Sequence, residues 1–340
     1  MKRILFVVPD RKMGGVSILL EDLLNYLPMN KYKIDLLILN NDGDRIAGYV
    51  NKQVNIIYGN TFFKAIDTPI SYFKHHFDLR LLFSKLRLMF LLKTGLIKKK
   101  LVKERKKILS ENYDIEVAFK DGFCAIFTAV SKTPKKIHWI HSSYGANDPT
   151  RRYRKTFQKN IYDKFDKIIA VSKKTAFGFN KHYGMQSKTI VVKNLIDDRK
   201  VKLKGKKAEK LSDKKFNFIS VGRLVSQKGY DRLLKVIARL KNENLFNDSF
   251  LTIVGDGPLK DHLDELKKSL NLDCVKFAGK QANPYKFVAG ADMYISAARF
   301  EPFGLVMVES LILHVPVLAV ETEATSVIIK NNVNGLIVDN

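Results

Sequence analysis

The strongest constraint in this chain is an alternation of short apolar runs with amphipathic ones that lapses once and then restarts. "RILFVV" leads through "PDRKMGG" into "VSILLEDLLNYL", where Val16, Leu19, Leu20, Leu23, Leu24 and Leu27 recur at helical spacing. "KIDLLIL", "DIEVAF", "KKIHWI", "KIIAVS" and "TIVVKN" read as further strands, several of them separated by helical stretches. Strands apolar on both faces and alternating with helices predict a parallel sheet covered on both sides. Between Asp197 and Lys215 the period vanishes into "DDRKVKLKGKKAEKLSDKK", which predicts an exposed linker. The pattern resumes at "FNFISVGRL" and runs through "SFLTIVGDG", "CVKFAG", "DMYISAA", "PVLAV" and "GLIVDN", with helices between most of these strands. The expected organisation is α/β: residues 1–197 as one doubly wound domain, 198–215 as linker and 216–340 as a second. Two such domains are expected to face each other across a cleft at their strand C-termini.

A length of 340 residues already favours two cores over one. The net charge of +26 raises the question of an anionic partner. Residues 64–109 hold 13 Lys/Arg against 3 Asp/Glu, and residues 199–215 hold 9 against 2. The charge is thus concentrated in an insertion and a linker. RNA-binding aromatic signatures, helix-turn-helix patterns and zinc spacings are absent from the sequence, which disfavours nucleic acid as the partner. Cys124 and Cys274 lie far apart without CxxC spacing, so neither a disulfide framework nor a zinc site is implied, and a reducing cytosol is the expected compartment. The apolar start is too short for a signal peptide, and no run nears the roughly 18 apolar residues of a spanning helix.

Four loops could carry chemistry. Gly14-Gly15 precedes a helix, where small residues let a ligand approach the positively polarised N-terminus; a lone Gly-Gly is also an ordinary turn. It is not GxGxxG, so a dinucleotide site is unsupported. "VGRLVSQKG" sets Arg223 and Lys228 between a strand and a helix, suited to a diphosphate or, on spacing alone, to solvent. "VGDGP", with Gly255, is by itself a turn signal. "FEPFGLVMVES" carries Glu301 and Glu309. With a helix starting near Gly304, eight positions of helix would separate the carboxylates by about 12 Å along the axis. Glycosidase pairs lie about 5 to 9.5 Å apart, so the spacing disfavours a hydrolase and suits one elongated ligand.

The two glutamates with seven residues between them resemble the E-x7-E motif of retaining glycosyltransferases of family 4. "VGRLVSQKG", "VGDGP", "KFAGK" and "NGLIVDN" occur in that family's order, and two Rossmann-like halves resemble its GT-B fold. The resemblance implies that Arg223 and Lys228 grip a donor diphosphate. It also implies that Glu309 binds the ribose, that Glu301 faces the donor sugar, and that Phe303, Gly304, Leu305 and Val306 offer backbone near phosphates and sugar. Gly14, Gly15 and Gly255 join the donor site, and His141 in "HWIHSS" matches a position beside the transferred sugar. The implied reaction moves a hexose-type sugar from a UDP- or GDP-sugar, UDP- being favoured, to a glycan or polyprenyl-linked acceptor in bacterial surface polysaccharide synthesis. A donor phosphate oxygen would take the acceptor's proton on the same face, giving retention. The cationic cradle would replace a metal, so no cofactor is expected, and the "DGD" of Asp42 to Asp44 reads as a turn.

Two departures from the family pattern stand out. The family continues beyond "GLIVDN", so the chain reads as C-terminally truncated. The segment of about 62–110 is a basic insertion in which Leu79, Leu82, Phe83, Leu86, Met89 and Phe90 form a helical stripe and Leu81, Leu88 and Leu92 lie off it. One face would cover the protein; the other would meet an anionic membrane through residues of about 79–107, giving peripheral attachment at the inner face of the cell membrane. A basic solvated helix over the sheet is the plainer alternative. The competing functions are a sugar-nucleotide epimerase of the same fold, a non-catalytic partner subunit and a basic nucleic-acid-binding protein.

Overall fold

A computed structural model describes residues 1–10, 14–40, 50–68, 72–73, 77–109, 112–141 and 155–339. The chain divides into two compact units, residues 1–195 and 196–340. The Asp42–Asp44 stretch, expected to be a turn, lies outside the described residues.

In the first unit, β1 (Lys2–Val8), α1 (Gly15–Tyr26), β2 (Tyr32–Ile38) and β3 (Asn55–Tyr58) come first. The helices α2 (Thr61–Asp67), α3 (Leu79–Thr94) and α4 (Ile97–Ile108) form the insertion. Then follow β4 (Ile115–Ala118), α5 (Phe123–Ala129), β5 (Lys135–Ile140), α6 (Lys155–Tyr162), β6 (Lys167–Ala170), α7 (Lys173–Tyr183) and β7 (Thr189–Val191). The sheet order is β3-β2-β1-β4-β5-β6-β7, and every neighbouring pair is parallel. β3 was not anticipated from the sequence: four residues at a sheet edge give too short a run to signal themselves.

The insertion is built into the core. Leu88 of α3 and Ile97 and Leu101 of α4 are buried with Phe63, Phe123 and Phe127, whose rings meet edge to face at 5.8–6.1 Å. Glu104, buried in α4, accepts from Asn60 and pairs with Lys100 at 2.6 Å, while Arg105 pairs with Glu116 of β4 at 2.5 Å. Glu104 and Glu116 thus each have a cation, which offsets their desolvation.

The second unit runs α8 (Asp198–Gly205), β8 (Phe216–Val221), α9 (Tyr230–Asn242), β9 (Ser249–Val254), α10 (Lys260–Ser269), β10 (Val275–Gly279), α11 (Tyr285–Ala289) and β11 (Met293–Ser296). It finishes with α12 (Leu305–Ile312), β12 (Val317–Val320), α13 (Thr325–Ile328) and β13 (Gly335–Val338). The parallel sheet has the order β10-β9-β8-β11-β12-β13. One buried cluster forms around α9 and α10 and another around α11 and α12, covering the sheet on both faces. The stretch expected to be linker begins instead with α8, capped by the Asp197 side chain on Lys200 N–H at 2.9 Å. Its Val201 and Gly205 are buried, and Gly205 sits against Leu313.

In both units the strand order reverses beside the first strand, between β1 and β4 and between β8 and β11. A crevice outside the strand C-termini at such a reversal is where open parallel sheets bind ligands.

Candidate functional site

In the second unit, the loops after β8 and β11 are the two that flank the reversal. After β8 the chain passes Arg223 and makes a single 3-10 turn, Ser226–Lys228, before Gly229 admits α9. Gly229 has φ 68°, and a Cβ there would lie 2.0 Å from the Ala297 carbonyl oxygen. Only glycine therefore lets the start of α9 rest on the end of β11.

The two loops are laced together. The Arg299 amide donates to Gln227 O at 2.9 Å, and the Gln227 amide group donates to Phe300 O at 2.9 Å. Arg299 also forks onto Asp231, Nη1 to Oδ1 at 2.8 Å and Nη2 to Oδ2 at 2.6 Å, while Nη1 reaches Ser226 O at 2.7 Å. The bond from Arg299 holds the Asp231 carboxyl below the usual carboxylate range. Bidentate guanidinium–carboxylate geometry fixes orientation as well as distance.

This lacing sets Lys228 against Glu301. Nζ of Lys228 lies 2.5 Å from Glu301 Oε2, and the Gly304 N–H donates to Glu301 Oε1 at 3.2 Å. Gly304, in the left-handed region at φ 75°, caps α12. The amides of Leu305 and Val306 at the head of α12 have no acceptor among the described residues. Glu301 thus occupies the point where an ammonium and a helix N-terminus converge, both of which favour an anion. Arg223 is exposed and makes no side-chain hydrogen bond or ion pair among the described residues.

Glu309 belongs to a different environment. It is buried in α12 and accepts from the Tyr285 hydroxyl at 3.0 Å. Glu301 and Glu309 therefore have separate partners, as the helical spacing predicted. Gly255 closes β9, with its N–H donating to Gly279 O at 2.9 Å, and packs on the Gly222 carbonyl. Phe303 stands in the turn before Gly304.

In the first unit, Gly14 caps α1 without a side-chain bond to its first turn, and Lys120 after β4 lines the same small hollow as Val16 and Ser17. His141 follows β5; its ring lies 3.0 Å (Nε2) from Phe119 O and stacks parallel to Trp139. Burial pushes its pKa down to about 4. The neutral ring therefore carries its proton on Nε2, since a carbonyl only accepts, and presents Nδ1 as an acceptor. His138, fully buried within β5 three residues earlier, bonds Asp121 through Nε2 at 3.0 Å and stacks on Tyr162. It braces the β4–α5 loop.

Sequence reading missed Gln227, Asp231, Arg299 and Lys120. Their neighbours in the motifs were the signal, but partners 68 to 73 positions apart become visible only with the strand order. Among the described residues, no three His, Cys, Asp or Glu side chains gather to hold a metal ion.

Two parallel-sheet Rossmann-like units, the second with Lys228 and an open helix start at its strand reversal, define a chain of GT-B type. The chain belongs to glycosyltransferase family 4: that family's profile matches residues 13–200, and the profile of glycosyl transferases group 1 matches residues 201–340. An uncharacterised glycosyltransferase of Methanocaldococcus jannaschii is 28 % identical over 207 residues, 56 % of this chain and 49 % of that protein. The N-acetylgalactosamine-N,N'-diacetylbacillosaminyl-diphospho-undecaprenol 4-alpha-N-acetylgalactosaminyltransferase of Campylobacter jejuni is 35 % identical over 153 residues, 44 % of this chain and 40 % of that protein. These matches thus span less than half the length of the curated relatives. Anabaena HepE, solved with UDP and glucose, superposes with TM-score 0.70 at 18 % identity, covering 100 % of this chain and 86 % of that one. A variant of S. aureus TarM, solved with fondaparinux, α-GlcNAc-glycerol and UDP, gives 0.70 at 16 % identity, covering 100 % and 90 %. At these identities the likeness establishes the fold.

Proposed function

We propose that this chain is a retaining glycosyltransferase that moves a hexose-type sugar from a nucleoside diphosphate sugar to a glycan or lipid-linked acceptor. The setting proposed is bacterial surface-polysaccharide synthesis at the inner, anionic face of the cell membrane. The observation that carries the reading is the convergence of Lys228, Glu301 and the α12 N-terminus at the strand reversal of the second unit. UDP is favoured over GDP because the HepE and TarM structures hold UDP.

Cleavage of the sugar–phosphate bond develops negative charge on the leaving diphosphate. Arg223, Lys228 and the Leu305 and Val306 amides supply preorganised positive charge for it, the role a metal plays elsewhere, so the reaction is metal-independent. As the diphosphate takes Lys228 and the helix start, Glu301 is released toward the sugar hydroxyls, and Glu309 binds the ribose. In this reading Gly14 and Gly15 lie toward the diphosphate and neutral His141 toward the transferred sugar, roles that the family resemblance implies. The acceptor's proton passes to a donor phosphate oxygen on the same face, and the anomeric configuration is kept.

A screen of UDP-, GDP- and ADP-sugars for donor hydrolysis, followed by anomer analysis of the transferred product, tests this. Hydrolysis of a UDP-hexose with α-configured product is expected. An epimerised free nucleotide sugar formed without acceptor would overturn it.

A further inference from the structure

Helix α3 has two apolar faces, and among the described residues the protein buries only one. Leu88 is 3 % exposed, and Leu81, Leu91 and Leu92 pack partly buried on the first unit's core. On the opposite side, Leu79, Phe83, Leu86 and Phe90 fall within about 60° of one another at 100° per residue. They are 62 %, 69 %, 56 % and 60 % exposed, and Phe77 just before the helix is 93 % exposed. Single exposed apolar residues are ordinary, but four in one row with a fifth at its head form a patch that marks an interaction surface.

Charge decides what meets it. Between Leu79 and Ile108 the chain holds eleven Lys/Arg and one acidic residue, Glu104. Lys85, Lys100 and Arg105 are turned inward to backbone carbonyls, Glu104 and Glu116. Arg80, Arg87 and Lys93 are exposed and flank the apolar row on α3 at 100° per residue, and Lys99, Lys103 and Lys106 of the following helix α4 are exposed as well. A second copy would set this cationic patch against its like and be repelled. A nucleic acid would match the charge and leave the phenylalanines in water. An anionic bilayer satisfies both, with acyl boundary for the apolar row and headgroups for the cations.

We propose that the outer face of α3 docks in the plane of an anionic bilayer, with Phe83, Leu86 and Phe90 entering the headgroup–acyl boundary and the exposed lysines of α4 meeting the headgroups. The inference deepens the proposed function and rests on it for the membrane setting. The helix lies on the bilayer: among the described residues no helix is long and apolar enough to cross one.

The test uses the full chain with phosphatidylglycerol and phosphatidylcholine vesicles. Wild type should sediment with the first and much less with the second. Phe83→Ser with Phe90→Ser should weaken phosphatidylglycerol binding by more than about tenfold, the two buried phenyl groups being lost. Arg80→Gln, Arg87→Gln and Lys93→Gln together should remove the preference for anionic lipid. Trp139 is the only tryptophan and is buried, so the indole introduced by Phe83→Trp can be followed; its emission should shift to the blue and be quenched by brominated acyl chains. Undiminished binding of the double serine variant, or an indole that stays in water, overturns insertion. So does a concentration-dependent dimer that the serine variant abolishes, or tighter binding to duplex DNA than to vesicles. Thermal unfolding and lipid-free donor hydrolysis should be unchanged in the serine variant. Vesicle insertion without hydrolysis of any nucleotide sugar would support the docking surface while refuting the proposed reaction.

Discussion

Replacing Glu301 by Gln should tighten nucleotide binding while impairing transfer. In the free protein the Glu301 carboxylate holds the Lys228 ammonium at 2.5 Å and the Gly304 N–H at 3.2 Å. A diphosphate must displace that carboxylate to use the same donors. The side chains are 25 % and 15 % exposed, so the pair is partly shielded from water. A hydrogen bond to a charged group contributes about 1.5–3 kcal/mol net. Glutamine keeps the shape and can still accept from Gly304, but it gives up most of the attraction to Lys228. Taking the lower figure, UDP should bind about tenfold more tightly to Glu301→Gln. Turnover should fall, because a neutral amide replaces the charged carboxylate proposed to meet the sugar hydroxyls. Isothermal titration with UDP, at low and high salt, reads the first effect; transfer kinetics read the second. Lys228→Met is the counterpart and should weaken UDP binding. Unchanged UDP affinity in Glu301→Gln would refute the competition between carboxylate and diphosphate.

Arg223→Ala should lower kcat/KM about 10- to 100-fold through lost leaving-group stabilisation, with little change in Tm because Arg223 is exposed. Glu309→Ala should mainly raise the donor KM. Arg299→Lys, which cannot fork onto Asp231, should cost about 1–2 kcal/mol of stability and weaken UDP binding together, whereas a purely structural role would leave UDP affinity intact. His141 should titrate near 4 by NMR. Its folded pKa lies below the unfolded value of about 6.5, so unfolding takes up a proton between them. The His141 contribution to stability is then complete above pH 6.5 and declines as pH falls toward 4; an NMR midpoint near 6.5 would show that the half-buried ring is not desolvated.

Most elements of the fold were readable because apolar period and strand length reflect burial directly. The helix start at Gly304 followed from "PFG", and the division of α3 into Leu81, Leu88 and Leu92 against Phe83, Leu86 and Phe90 followed from 100° spacing. α8 escaped notice because only Val201 and Gly205 of its eight residues are buried. Its lysines dominate the composition, and its helicity depends on docking to α11 and α12, as isolated short helices are marginal. Glu301 and Lys228 were each identified by motif, but not as partners.

By itself, then, the sequence determined the two doubly wound units, the positions of the Gly14, Arg223–Lys228 and Glu301–Glu309 loops, and the uneven placement of charge, because each is written in local spacing and residue chemistry. Tertiary structure decided which of those groups meet. Parallel pairing of β8 with β11 brings residues 73 positions apart within hydrogen-bond reach. It makes the half-buried Lys228 the partner of the half-buried Glu301 and recruits Arg299, Asp231 and Gln227 to hold them, since register across a sheet is a long-range property that no local pattern encodes.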